Sequence, residues 1–277
     1  MALLCGDRTL GSARGSRARC YPAQVPRRLG QHFLRPASVE RLLRTIAPTK
    51  NDVFLEIGAG KGALTLPLAA RAGRVVAVEL DSRLARRLRE RAPGNLEVLE
   101  GDALAMDLGA LVPPGSRLAG NLPYAISSPL LRRFLEMHGH VRDLHVMLQE
   151  EVAARVAAAP GSRAYGILSV FYALWADADM PLRFPPGSFD PPPKVGSAVL
   201  RARFLAEPSA DVGDPAAFQR LVRQAFARRR RTLENNLQDS YPNLKHHLSL
   251  LNLAGTRRAE TLSVGEFARL SRALSLE

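Results

Sequence analysis

Residues 53–62 read Val-Phe-Leu-Glu-Ile-Gly-Ala-Gly-Lys-Gly, a short apolar strand that runs directly into a turn with glycine at every second position. No other stretch restricts the fold as much. A strand that ends in such a turn and continues into a helical stretch, here residues 63–71, is the opening unit of an open α/β sheet. The glycines let the backbone pass close to a ligand, and the helix start offers it unpaired N–H groups.

The alternation continues downstream. Residues 75–80 are apolar except for Glu79, as in a parallel strand covered on both faces. A charged helix over 82–91, strands over 96–99 and 117–120, a helix from Pro129, a strand over 144–149 and a helix from Glu150 follow. Upstream, Val39, Leu42, Leu43 and Ile46 recur at helical spacing with Ser38 as the expected N-cap. Residues 198–204 read as the last strand. This order predicts an α/β fold with a doubly wound parallel sheet over residues 29–205. After Glu207 the stretches 214–236, 244–253 and 264–274 all read as helical, so a small all-helical C-terminal domain is expected over 206–277. Residues 1–28 carry six arginines against one acid and no apolar period, the composition of a flexible basic arm or of a transit peptide.

Three ligand classes compete for the glycine turn. A P-loop needs Gly-x-x-x-x-Gly-Lys-Ser/Thr, but Leu55 stands at its first glycine and Gly62 follows Lys61, so it fails. A dinucleotide fingerprint is met loosely by Gly58, Gly60 and Ala63, with Glu79 to hold a ribose. The third class, S-adenosylmethionine, is distinguished by acids at successive strand ends. Glu79 closes the second strand, where a carboxylate accepts from ribose hydroxyls, and Asp102 closes the third, where one accepts from the adenine amine. Each also precedes a helix candidate, so N-capping is the competing role for both.

The fourth strand ends in Asn121, Leu122, Pro123 and Tyr124. An adenine exocyclic amine is a poor nucleophile because its lone pair is delocalised into the ring. The Asn121 side-chain carbonyl and the Leu122 backbone carbonyl are suited to accept both amine hydrogens, which points the lone pair at a methyl donor. Pro123 fixes the turn and Tyr124 stacks on the base, so catalysis rests on orientation and placed dipoles. An ordinary strand-to-helix turn with a packed tyrosine is the competing reading.

Phe189, Asp190, three prolines and Lys194 form a stiff extended segment, suited to hold Phe189 at a pocket rim and Lys194 against a phosphate, or simply to link two elements. Arg220, Arg223, Arg228, Arg229, Arg230 and Arg231 place six cations within twelve residues, read here as helical and as an RNA backbone contact. The chain has a net charge of +13, with 35 arginines and 4 lysines. That bias suits a polyanionic partner and equally an arginine-rich genome. Only Cys5 and Cys20 occur, which excludes a disulfide framework and favours a reducing, cytoplasmic compartment. No apolar run reaches the ~18 residues of a membrane span. His138, His140 and His145 have no carboxylate or cysteine at ligand spacing, so no metal is expected.

Taken together, residues 29–34 (Leu-Gly-Gln-His-Phe-Leu), the glycine turn, the acids at 79 and 102, the Asn-Leu-Pro-Tyr tetrad, residues 189–197 (Phe-Asp-Pro-Pro-Pro-Lys-Val-Gly-Ser) and residues 229–237 resemble the ribosomal RNA adenine N6,N6-dimethyltransferases, the small-subunit (16S) branch in particular, over about residues 27–277. The resemblance implies a Rossmann-like methyltransferase domain with S-adenosylmethionine held by His32, Leu34, Gly58, Gly60, Glu79, Asp102 and Asn121. It also implies Phe189 as a stacking face for the target base, and a monomer that dimethylates two adjacent adenosines near the 3′ end of small-subunit RNA in the immature 30S particle. Many relatives carry asparagine at the position of His32. A large-subunit (23S) enzyme of the antibiotic-resistance type, a nicotinamide-dependent oxidoreductase and a mainly non-catalytic assembly factor are the alternatives.

Overall fold

A computed structural model describes residues 32–275, so the expected basic arm at 1–28 lies outside the described residues. A short strand β1 (Phe33–Leu34) and a helix α1 (Pro36–Ile46) lead into β2 (Val53–Ile57), α2 (Thr65–Arg71), β3 (Arg74–Glu79), α3 (Ser82–Arg89), β4 (Leu96–Glu100), β5 (Ser116–Asn121), α4 (Ser127–Glu136), β6 (Val141–Gln149) and α5 (Glu150–Val156). Then come α6 (Ile167–Trp175), β7 (Ala176–Phe184), β8 (Phe189–Asp190) and β9 (Ser197–Phe204). The chain closes with α7 (Pro215–Ala225), α8 (Leu233–Leu237), α9 (Leu244–Leu250) and α10 (Val264–Leu274). Among the described residues no helix is long and apolar enough to cross a membrane.

The main sheet has the order β4-β3-β2-β5-β6-β9-β7. Its first five strands are parallel, as expected, whereas β9 runs antiparallel to β6 and β7 antiparallel to β9. Strand alternation sends successive side chains to opposite faces. Phe54, Val75, Ala77 and Ala119 join Leu42, Leu43, Leu68 and Leu88 beneath α1–α3, while Leu55, Ile57, Val76, Val78 and Leu118 join Leu130, Phe134 and Val170 beneath α4–α6. Both faces are therefore covered. From β2 the chain adds β3 and β4 on one side and returns to place β5 on the other, so strand order reverses between β2 and β5. That reversal opens a crevice at the carboxyl ends of these two strands.

Several expectations need correction. Ser38 is not the cap of α1; the cap position is Arg35, Pro36 opens the helix with its preset φ, and Ser38 is buried in the first turn. The helix–strand pair α6 and β7 has no counterpart in the sequence pattern. Ala176, Asp177, Ala178 and Asp179 lack a β-rich signature, and β7 forms as the sheet edge because β9 offers it a partner. The stretch 214–236 is two helices rather than one, because the chain turns at residues 226–232. The C-terminal helices share a core with the sheet layer: Phe218 lies 6.3 Å ring to ring from Phe171, and Phe226 lies 6.2 Å from Tyr165 and 6.0 Å from Phe267.

At the opposite end of the sheet from the crevice a buried ionic cluster ties four elements together. Arg117 at the start of β5 donates to Asp143 of β6 (Nε to Oδ1, 2.8 Å), to Asp52 just before β2 (Nη1 to Oδ2, 3.0 Å) and to the carbonyl of Ile46 that ends α1 (2.8 Å). The guanidinium also lies 4.9 Å above the Phe54 ring. All three guanidinium nitrogens donate, which is what makes a buried charge tolerable. Burial pushes the Asp143 carboxyl up, but the contacts to His145 and Arg117 more than reverse this and hold it at about 2. Because that value lies below the unfolded one, the stabilisation is present above pH ~4 and is lost as pH falls towards 2. Asp143→Asn should therefore lower stability at pH 7 by roughly 3 kcal/mol. In urea titrations the gap to the wild type should narrow below pH 4, and a gap independent of pH would contradict the charge assignment.

Candidate active site

A pocket sits at the carboxyl ends of β2, β3, β4 and β5, in the crevice where the strand order reverses. Its walls include Glu56, Gly58, Gly60, Glu79, Asp102 and the tetrad from Asn121 to Tyr124, with His32, Phe33 and Leu34 closing one side. The cofactor residues expected from the sequence thus converge on one cavity.

The glycine turn is built by left-handed backbone. Gly58 (φ +78°) and Gly60 (φ +58°) adopt conformations that L side chains rarely take. The Gly58 N–H donates to the Val78 carbonyl (2.9 Å) and the Gly60 N–H to Glu79 Oε2 (2.7 Å). The second Glu79 oxygen accepts from the Asp81 N–H (2.9 Å). Glu79 therefore fixes the turn after β2 and the turn after β3 at once, while remaining part of the pocket wall. Capping of α3 falls to Asp81, which accepts from the N–H groups of Arg83 and Leu84, so the N-cap reading of Glu79 is replaced. Asp102 accepts one hydrogen bond through Oδ1, from the Leu104 N–H (2.8 Å), within a turn that does not develop into an α-helix.

One acid of the pocket stands within the motif at residues 53–62 but receives no role from the sequence. Glu56, the penultimate residue of β2, is 1% exposed, and its Oε2 has no hydrogen-bond partner. Burial, with a contribution from the charge of Glu79, pushes its carboxyl up to about 8. The signal is legible: a carboxylate in an otherwise apolar strand immediately before the glycine turn has no reason to be buried unless something cationic meets it.

The tetrad is held from two directions. Asn121 Nδ2 donates to the His32 carbonyl (2.8 Å); only the NH₂ end of an amide makes that bond, so Oδ1 is left as the amide's acceptor. The Leu122 N–H donates to the Met147 carbonyl (2.9 Å) and its side chain is buried. The Pro123 carbonyl accepts from the Ile126 N–H (3.2 Å) and Ser127 Oγ (3.0 Å), which seats the following helix. The Tyr124 hydroxyl bonds the buried Ser197 Oγ (2.7 Å), and burial pushes the phenol pKa above its ordinary value. The Tyr124 ring lies 5.7 Å from the His32 imidazole.

His32 also joins the proline segment to the pocket, because its Nδ1 donates to the Pro191 carbonyl (2.8 Å). Next to it, β1 pairs antiparallel with β8, and the Lys61 ammonium sits 4.3 Å over the Phe33 ring. The placement of Phe189 corrects the expectation. It is opposite Leu34 in this two-stranded ladder, 1% exposed, in the core with Phe184 and Val199, and absent from the pocket wall. Ladder pairing turns the ring inward, so it presents no stacking face here. Lys194 is exposed, beside the exposed Val195.

The arginine run is also rearranged. Arg228, Arg229, Arg230 and Arg231 are exposed in the turn between α7 and α8 rather than on a helix. Asn236 of α8 braces this turn by donating to the carbonyls of Ala225 (2.8 Å) and Arg228 (3.2 Å). Arg229 is committed elsewhere, to Glu260 (2.9 Å) and the Arg163 carbonyl. The other three make no ion pair among the described residues.

Comparison with known proteins agrees with this geometry. A "Ribosomal RNA small subunit methyltransferase A" of Bordetella petrii is 46% identical over 255 residues, covering 91% of this chain and 95% of the relative. A solved dimethyladenosine transferase from Plasmodium falciparum superposes with a TM-score of 0.72 at 26% identity, over 86% of this chain and 96% of that one. The solved 23S rRNA methyltransferase ErmE gives 0.69 at 27% identity, over 88% and 99%. The family model described as ribosomal RNA adenine dimethylase matches residues 23–275. By sequence, fold and the residues gathered in its crevice, the chain belongs to the ribosomal RNA adenine dimethylase family.

Proposed function

We propose that the chain is an S-adenosylmethionine-dependent adenine N6,N6-dimethyltransferase acting on two adjacent adenosines near the 3′ end of small-subunit ribosomal RNA. The observation that carries this reading is Asn121: its NH₂ is spent on His32, so its oxygen is the group available to an exocyclic amine at the end of β5. The cofactor supplies an electrophilic methyl on a sulfonium. The pocket suits it: Glu56 offers an unpaired buried acceptor to a cationic ligand, Asp102 keeps an oxygen for an adenine amine, and Glu79 borders the ribose position. Asn121 Oδ1 and the Leu122 carbonyl accept the two amine hydrogens, which favours a tetrahedral nitrogen whose lone pair is localised rather than shared with the ring. Tyr124, fixed by Ser197, supports the base. Held by these residues, the sulfonium would supply the methyl and depart as a neutral thioether, and the amine proton would pass to water. In the second round the nitrogen keeps one hydrogen, which one of the two carbonyls accepts.

The exposed arginines at 228, 230 and 231, with Lys194, supply the phosphate contacts, and the helical region from 206 onward holds the RNA. The reading includes a cytoplasmic monomer. The large-subunit alternative is less favoured, because relatives 44% and 46% identical carry the small-subunit name.

Incubation with labelled cofactor and unmethylated small subunits should yield N6,N6-dimethyladenosine, and no incorporation into any ribosomal substrate would refute the assignment. Asn121→Ala should slow methyl transfer by about 100-fold or more while subunit binding stays intact, the outcome that separates an enzyme from an assembly factor. Removal of the side chains of Arg228, Arg230 and Arg231 together should flatten the plot of log affinity against log salt, by up to ~0.9 for each phosphate that is no longer neutralised. Arg229→Ala should change it less, and an equal effect would argue against the pairing with Glu260. Glu56 loses its proton near pH 8. Cofactor affinity, read by calorimetry, should therefore rise between pH 6 and 8 more steeply in the wild type than in Glu56→Gln; identical profiles would remove Glu56 from cofactor binding.

A further inference from the structure

A second cleft, with no lining residue in common with the active-site pocket, lies between α7, the chain at Ser240 and Tyr241, and the end of α10. It encloses about 360 Å³, within the range of small-ligand sites. Its lining is rich in hydroxyls and amides: Ser240, Tyr241, Ser271 and Ser275, with Gln224 and Arg220 on α7. Two polar atoms of these residues, Gln224 Oε1 and the Oγ of the buried Ser271, have no hydrogen-bond partner. A hydroxyl buried on an otherwise apolar helix face, where alanine would pack as well, is costly without a ligand.

The charges point to an anionic ligand. Asp214, the one carboxylate in the lining, spends both oxygens on the N–H groups of Ala216 (2.8 Å) and Ala217 (3.2 Å). Its separation from Arg220 is 3.8 Å, with both side chains more than half exposed, so this ion pair is loose. The Arg220 guanidinium is near enough to Tyr241 for its charge to act on the phenol. Residues 214, 217, 220, 221 and 224 fall on one face of α7, and that helix ends at the exposed turn that carries Arg228 to Arg231. A guanidinium for phosphate, a half-buried aromatic ring for a base, and an amide with hydroxyls for base edge or ribose are the set that recognises an unpaired nucleotide.

We infer that this cleft takes one unpaired nucleotide of the RNA whose backbone is held by the arginine turn, a binding subsite separate from the one for the target adenosine. The inference rests on the reading of the chain as a ribosomal RNA enzyme and adds to it how the helical region grips RNA beyond charge.

The test uses the full chain, unmethylated small subunits and adenosine 5′-monophosphate. Ala217→Trp fills the cleft while leaving its polar side chains in place; Tyr241→Ala removes the ring, and Tyr241→Phe keeps it. Ala217→Trp and Tyr241→Ala should weaken subunit binding about tenfold, the range for loss of one stacked base, and Tyr241→Phe by less than about twofold. Cofactor affinity should match the wild type in all three, and melting temperature should match it in Ala217→Trp and Tyr241→Phe, whereas Tyr241→Ala also loses the packing of its ring on the core. Wild-type subunit affinity in both Ala217→Trp and Tyr241→Ala would overturn the inference. So would loss of mononucleotide binding with subunit affinity unchanged, which would mean that the cleft serves a free nucleotide. Failure of the wild type itself to bind small subunits would overturn the ribosomal reading as well, so the two failures are distinguishable.

Discussion

The active-site crevice depends on one topological constraint, the reversal of strand order between β2 and β5. Neighbouring strands that send their connections to opposite faces leave their carboxyl ends without a covering loop, so backbone and side chains there are free to meet a ligand. Glu56, the glycine turn and Asn121 all lie on the two strands that border this gap. Glu79 and Asp102 arrive from the next strands outward. The site is therefore a consequence of sheet order, and Glu79 converts it into a fixed shape by holding two of the turns with one carboxylate.

The same strands are fastened at their other ends. Arg117 connects β5, β6, the entry to β2 and the end of α1 through bonds from all three of its guanidinium nitrogens. A rigid base of this kind limits relative sliding of β2 and β5, and such sliding would displace Asn121 from Gly58. The two are neighbours: a Cβ on Gly58 would stand 3.5 Å from the Asn121 carbonyl oxygen, an ordinary contact distance. On the open side, the segment around His32 ties the tetrad to the proline segment through Asn121 and Pro191, so the two share a common brace.

Much of this is legible in the sequence because it is local. The glycine spacing, the acids at strand ends and the tetrad are each read within ten residues, and their positions agree with the pocket. What escapes a reading of the sequence is what distant partners decide. The prolines around Phe189 suggest a rim position, but ladder pairing with Leu34 turns the ring into the core. The strand β7 has little strand character of its own and is created by β9. The arginine run has the spacing of a helix, whereas a turn braced by Asn236 spreads it and Glu260 engages one member. Glu56 is the instructive omission: its type and place are visible, but its cost becomes clear only once the strand is known to be buried.

The central claim is that the crevice methylates adenosine in small-subunit RNA. The most direct measurement is mass mapping of that RNA, in cells that contain the chain and in cells from which it has been removed. Two adjacent N6,N6-dimethyladenosines near the 3′ end should be present in the first and unmodified in the second. Identical modification in both, or a loss confined to the large-subunit RNA, would contradict the claim.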